Sequence, residues 1–315
     1  MDAQRKPTLF DAKALIVARE RAMRLGYVGG GDFLMRRAAE GLAERLGDVN
    51  RSFETAVLAG TGAGALAPAL PNVVAASGSG LAMTGPSASM LHAAARGLPH
   101  AVVLDWQGET LPFTPGAAEL AISAGLLHWL EDPVGHLVQL RLALRPDGLM
   151  LAVLAGGQSL AALRAALATA EAEVTGGLSP RVAPMGEIRE LGALLQRAGF
   201  AMPVADSERL ALSYESGWHL MRDLRAMGET SALAGRPRRF TRRAVLTRAV
   251  ALYEETQRLS DGRIGAEIEL VYLTGWAPAE NQPKPLRPGS ARTRLADALG
   301  TVELPAGEKA PDRNK

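Results

Sequence analysis

Short apolar runs recur along the first half of the chain, at residues 56–58, 72–76, 101–104, 120–123 and 149–154, with helical or loop stretches between them. Runs of this length, spaced in this way, belong to strands of a parallel sheet covered on both faces. Ahead of them, residues 32–49 place Leu34, Ala38, Leu42, Leu46 and Val49 at helical spacing, which predicts a leading amphipathic helix. Further on, residues 159–174 carry Leu160, Leu163, Leu167 and Ala170 on one helix side, and "EIRELGALLQRAGF" reads as a helix closed by Gly199. "MPVADSERLALSY" reads as a strand, and helical regions follow near 217–228 and 242–259. "AEIELVYLTGWAP" is a late strand with Ile268, Leu270, Tyr272 and Thr274 on one face.

The expected architecture is therefore a doubly wound α/β domain whose last two strands are separated by a helical insertion at about 215–260. Its bounds are set at 51–280, after an N-terminal helical segment at 1–50 and before a tail rich in Pro, Gly and charge at 281–315, expected to be poorly ordered. Met221 and Met227 stand with Leu220 and Leu224 at core spacing, which assigns them to packing.

Length and charge narrow the function. A chain of 315 residues, 47% of them hydrophobic, can build one large core. A net charge of +2 is too mild to imply nucleic-acid binding. Without cysteine there is no disulfide, no thiolate metal site and no thiol nucleophile. Five histidines at 92, 100, 128, 136 and 219 give no legible two-histidine, one-carboxylate iron site, so no metal is expected. No apolar run reaches the roughly 18 residues of a membrane-spanning helix, and "MDAQRKPTLFDAK" has no apolar signal region. A cytoplasmic protein is the expectation.

The first strand runs into "AGTGAG", with glycine at 60, 62 and 64. Glycines there allow a tight turn and let backbone amides approach a ligand that a Cβ would hold off. The other reading is a close strand-to-helix turn with no ligand. A nucleotide site of this kind also wants an acid at the end of the second strand, and that place falls on Ala76 or Ser77. His128, just past the fourth run, is a candidate proton carrier or substrate contact, or a ring that packs beside Trp129. The stretch "RPRRFTRRAVLTR", from Arg236 to Arg248, suits an acidic surface or a solvated helix face.

The order of the pieces is distinctive. The Gly60–Gly64 loop, "ETLPF", "LLHWLEDP" and "LRPDGLM" resemble class I S-adenosylmethionine-dependent methyltransferases. Downstream, "GGQSLAALRAALATAEAEVTGGLSPRVAPMGEIRELGALLQRAGFAMPVAD", "YESGWHLMRDLRAMGE" and "GWAPAENQPKPLRPGSA" resemble bacterial relatives of the methyltransferase-like assembly factor of mitochondrial respiratory complex I, over about residues 10–300. More distantly, the chain is similar to the malonyl-carrier-protein methyltransferase of biotin synthesis. The resemblance implies a seven-strand, Rossmann-like methyltransferase sheet and an S-adenosylmethionine pocket made by Gly60, Thr61, Gly62, Gly64, Ser77, Gln107, Gly108 and Glu109. It also implies a complex I subunit as partner, and Arg164, Arg222, Asp223, Arg225 and Glu229 as residues that meet substrate or partner. Those five also suit plain helix-surface charge.

Three functions follow from the resemblance: methyl transfer, a non-catalytic assembly role with a degenerate cofactor pocket, and arginine hydroxylation. The chain departs from the family pattern where three acids are expected. Leu58 stands two residues before the first glycine, Ala76 or Ser77 at the ribose, and Gln107 at the adenine, with Asp105 and Glu109 nearby.

Overall fold

The computed structural model describes residues 8–26, 32–66, 80–96, 98, 100–283, 293–294, 297–298 and 300–302. The chain divides into two compact units after Ala279, and the first holds all the strands named here. Most of the segment expected to be a tail lies outside the described residues.

Seven strands form one sheet: β1 (Ala56–Gly60), β2 (Leu81–Thr84), β3 (Ala101–Val103), β4 (Ala118–Ala124), β5 (Leu144–Gly156), β6 (Ala201–Tyr214) and β7 (Ile264–Trp276). Their order is β3-β2-β1-β4-β5-β7-β6. The first five are parallel, and β7 runs antiparallel between β5 and β6. This is the seven-strand α/β sheet expected from the sequence.

Both faces are covered, so successive residues of each central strand enter different cores. Val57, Ala59, Ala121, Met150, Ala152, Val271 and Leu273 face one way, toward α5 (Pro133–Ala143) and α7 (Ile188–Arg197). Leu58, Met83, Leu120, Ile122, Leu151, Leu270 and Tyr272 face the other, toward α2 (Phe33–Gly47) and α4 (Ala88–Ala95). A third core joins α6 (Ala161–Thr175), α8 (Gly217–Ala226) and α9 (Arg243–Gln257) around Leu167, Tyr214, Leu220 and Val245. The two helices between β6 and β7 thus belong to a core of their own. Met227 is buried there, while Met221 is half-buried against it.

The second strand is a correction. The sequence reading put it at residues 72–76, but β1 pairs with Leu81–Thr84, residue for residue from Ala56. A parallel crossover needs a dozen or more residues. The run at 72 leaves 11 after Gly60, whereas Leu81 leaves 20. Ala76 and Ser77 lie outside the described residues, and the position that ends the second strand is Thr84–Gly85. Within the N-terminal segment read as helical, the structure adds a helix that the sequence reading did not delimit: α1 (Ala12–Arg24), capped by the Asp11 carboxylate accepting from the Ala14 amide at 3.1 Å.

Gly41 shows how tightly the layers meet. Tyr272 is fully buried under α2, with the Arg45 guanidinium 3.6 Å above its ring, and a Cβ on Gly41 would overlap the Tyr272 hydroxyl. Gly41→Ala gains about 1 kcal/mol of helix propensity but overpacks a closed site at about 1–3 kcal/mol. Overpacking wins, because Arg45 and the sheet leave the ring nowhere to go. A net loss of up to about 2 kcal/mol in urea unfolding is the expected result.

Candidate functional site

The strand order reverses between β1 and β4, and ligands of open α/β sheets sit outside the carboxyl ends of the strands at that point. Gly60 and Ala124 face each other there, one ladder position short of the loops. Gly60 has φ +116, a conformation open to glycine, and a Cβ on it would run into the Ala124 carbonyl oxygen. Thr61 is buried, and its hydroxyl has no hydrogen-bond partner among the described residues. Gly64 lies in α3 (Ala63–Leu66), a four-residue helical turn.

The adenosylmethionine cradle implied by the resemblance is shaped here but not furnished. Leu58 is fully buried in the sheet core, so it meets no ligand. A Cβ on Gly85 would lie 2.9 Å from the Gly60 carbonyl oxygen, so the residue that follows β2 cannot bear a side chain without moving the loop. The space across the loop is also taken. A Cβ on Gly62 would meet Met35 Sδ at 2.9 Å and Ala124 Cβ at 2.6 Å, and one on Gly125 would meet Met35 Cε at 2.6 Å. Met35 of α2 therefore lies between the glycine loop and the end of β4. The described residues at this edge do not fit the usual adenosylmethionine site.

The segment after β3 starts at the same sheet edge, where the Thr84 hydroxyl donates to Asp105 O at 3.4 Å, and then folds into a turn. Gln107 forms an isolated bridge with Thr110 around Gly108, whose φ is +73, and Gln107 is exposed. Glu109 accepts from the Glu131 amide at 2.5 Å and from the Asp132 amide at 3.2 Å, which ties the loop to the start of α5. Both carboxylate oxygens are engaged in structure.

Beside Met35 the sheet edge opens into a cavity of about 240 Å³. Its walls are apolar: Leu34, Met35 and Ala38 of α2, Leu163 and Leu167 of α6, Val153, Ile268 and Leu270 of the sheet, and Met221 of α8. One side is polar, built from His128, Glu229, Thr230 and Ser231. His128 arrives on the 3-10 turn Leu127–Trp129 after β4. Glu229 arrives by a Schellman turn that ends α8. The Gly228 amide donates to Arg225 O at 3.3 Å and the Glu229 amide to Leu224 O at 2.8 Å, with Gly228 at φ +79.

Glu229 is the hub of this wall. Its Oε2 accepts from Trp129 Nε1 at 2.9 Å and stands 3.4 Å from His128 Nε2. Its Oε1 accepts from Arg19 Nη2 at 2.6 Å, and Arg19, 1% exposed, also donates to Met227 O at 3.0 Å and Gly125 O at 3.3 Å. Burial alone pushes the Glu229 carboxyl up, but the Arg19 charge and the His128 contact outweigh it and hold the pKa at about 2. Among the described residues, the His128 Nδ1 is buried without a partner. The sequence reading named His128, and Glu229 with its neighbours on α8, but missed Arg19. Glu229 closes "AMGE", a helix end marked by glycine with an acid after it.

The remaining candidate residues separate. Arg164 donates to Ala183 O at 2.8 Å and pins the loop that covers the cavity, together with Arg181, which grips Glu171 at 2.7 Å. Arg222 and Arg225 are exposed on α8 and Asp223 is half-buried beneath them. His136 is buried, 3.1 Å from Ser123 Oγ, and burial pushes its pKa down to about 4, so it packs as a neutral ring. Among the described residues, no three His, Asp or Glu side chains gather as a metal site. None of the described helices is long and apolar enough to cross a membrane.

Comparison with known proteins agrees with the sheet. Residues 57–152 match the model of a methyltransferase domain. The zebrafish (Danio rerio) protein "Arginine-hydroxylase NDUFAF5, mitochondrial" is 33% identical over 84% of this chain and 82% of its own length. A malonyl-[acyl-carrier protein] O-methyltransferase of Laribacter hongkongensis is 35% identical over 58% of each chain. In fold, the YcgJ protein of Bacillus subtilis superposes with a TM-score of 0.52 at 14% identity, over 77% of this chain and 99% of its own. A methyltransferase-type sheet, a matching domain model and identity sustained over most of both chains place this chain in the NDUFAF5 family.

Proposed function

We propose that this chain is a binding member of its family: it holds a segment of a partner protein at the cavity beside Gly125, and its work does not run through methyl transfer. One observation carries this reading, the closure of the cradle by Met35 and by the contact of Gly85 with Gly60. Each hydrogen bond to a charged acceptor contributes roughly 1.5–3 kcal/mol, so loss of the ribose clamp alone weakens an adenosyl ligand about tenfold to a hundredfold. Met35 adds the displacement of a packed side chain to that loss. The adjoining cavity suits one inserted side chain. Its walls are leucine and methionine, which adapt to varied apolar shapes, and His128 Nδ1 is a polar atom without a partner among the described residues. A respiratory complex I subunit is the partner that the sequence resemblance implies.

Calorimetric titration with adenosylmethionine tests this. No heat at millimolar ligand is expected for the natural chain, and binding in the micromolar range overturns the reading. Met35→Ala with Gln107→Asp reopens the space and supplies an anion at an exposed position, so that variant is expected to gain weak binding. A second reading, adenosylmethionine-dependent methyl transfer, is favoured by one feature: the buried Thr61 hydroxyl, which has no partner among the described residues. Micromolar binding that Thr61→Val abolishes would establish it.

A further inference from the structure

Two loops that border the cavity each put a large apolar side chain into water. Leu178 is 72% exposed and Phe240 wholly so. The loops are clasped to each other. Arg181 donates from Nη1 to Thr241 Oγ1 at 2.9 Å while its other nitrogens hold Glu171, and a Cβ on Gly235 would touch Pro180 Cγ at 3.2 Å. Glu171, in turn, accepts from the Ser179 hydroxyl at 2.6 Å. The two apolar tips therefore stand on an ordered base.

Along the chain around Phe240 the charge has one sign. Residues 235–248 contain six arginines and no acid. Arg236 and Arg238 share Asp11, and Arg248 pairs with Glu173. Arg239, Arg242 and Arg243 are exposed and make no ion pair with any described residue. Neighbouring cations that leave their charge unmatched favour an anionic surface over a mixed one.

We propose that these two loops form an interfacial anchor that seats the protein on an anionic lipid bilayer, with the arginines among the headgroups and Phe240 and Leu178 below them. A protein partner is the other anionic surface on offer. A phenylalanine that protrudes with no apolar collar around it lacks the packed surround of a protein hot spot, whereas a bilayer interface takes up a lone apolar tip without a preformed pocket. Each arginine near an anionic leaflet adds about fivefold to partitioning, within a Debye length of the surface. Because Arg181 both clasps the loops and lines the cavity, docking in this way brings the cavity to the bilayer surface.

The test is co-sedimentation of the full chain with unilamellar vesicles of phosphatidylcholine, with and without phosphatidylserine. Binding only to the anionic vesicles, lost as salt is raised, is expected. Arg239→Ala with Arg242→Ala should lower partitioning roughly twenty-five-fold, and Phe240→Ala with Leu178→Ser roughly a hundredfold. All four side chains are exposed, so circular dichroism should not change. Phe240→Trp adds a depth readout, an emission that shifts to the blue on vesicles and is quenched by brominated lipid. Failure to bind anionic vesicles at low salt overturns the proposal, as does binding that Phe240→Ala leaves untouched. A chain that ignores lipid but binds an acidic protein through the same residues overturns it too.

Discussion

Glu229→Leu is expected to destabilise the fold by about 3–5 kcal/mol, because it leaves the Arg19 guanidinium buried with a charge and no counter-charge. Arg19 has no route to water: it is 1% exposed and held at Met227, Gly125 and Glu229 at once. A double variant, Arg19→Met with Glu229→Leu, removes both charges and is expected to recover most of that loss, since an apolar pair of similar volume often does as well as a buried ion pair. Urea unfolding of the two single variants and the double closes the cycle. Acid titration gives an independent measure. The Glu229 pKa is about 2 in the folded chain against an ordinary 4.5, so its contribution is fully present above about pH 4.5 and disappears as pH falls toward 2. That shift corresponds to about 3 kcal/mol. Glu171, held at about 2 by its hydrogen bonds from Arg181 against the opposing effect of burial, titrates in the same window. The difference between the natural chain and Glu229→Gln isolates one from the other. If that difference is independent of pH between 2 and 5, the charge of Glu229 is not what holds α1 to the cavity wall.

Residue types explain which parts of this arrangement can be seen in the sequence. Strands β1, β4 and β5 show because burial on both faces makes them continuous apolar runs, and β7 shows by its alternation. Strand β2 hides because "LAMT" is four residues long and a more apolar run, "NVVAA", stands before it. Helix α1 hides for another reason. Its buried residues are Leu15, Ala18, Arg19 and Ala22, so the inward stripe is broken by an arginine that a pattern of apolar periodicity counts as solvent-facing. The partner that explains Arg19 is 210 positions away. His128 could be named from its place after β4, but its environment is set by Glu229, 101 positions on, and only the fold brings them together. The cradle shows the converse. Its glycines are legible as a motif, yet the same glycines are what a tightly closed loop requires.

That last point can be put to experiment, and it decides what the glycine loop is for. If Gly60 serves only to admit a ligand, Gly60→Ala should leave the ligand-free protein as stable as before. The geometry demands otherwise. A φ of +116 strains any side-chain-bearing residue by about 1–3 kcal/mol, and the new Cβ would press on the Ala124 carbonyl oxygen, a backbone atom locked in the β1–β4 ladder, at a further cost of about 1–3 kcal/mol. A loss of roughly 3–5 kcal/mol in the absence of any ligand is therefore expected. Gly62→Ala supplies the control. Its Cβ would meet the Met35 side chain at 2.9 Å as well as Ala124 Cβ at 2.6 Å, and a flexible methionine can be removed. Met35→Ala should thus return part of the stability lost in Gly62→Ala and none of that lost in Gly60→Ala. Should Gly60→Ala unfold at the same temperature as the natural chain, the closed loop is not a structural necessity, and the case for a living cofactor site reopens.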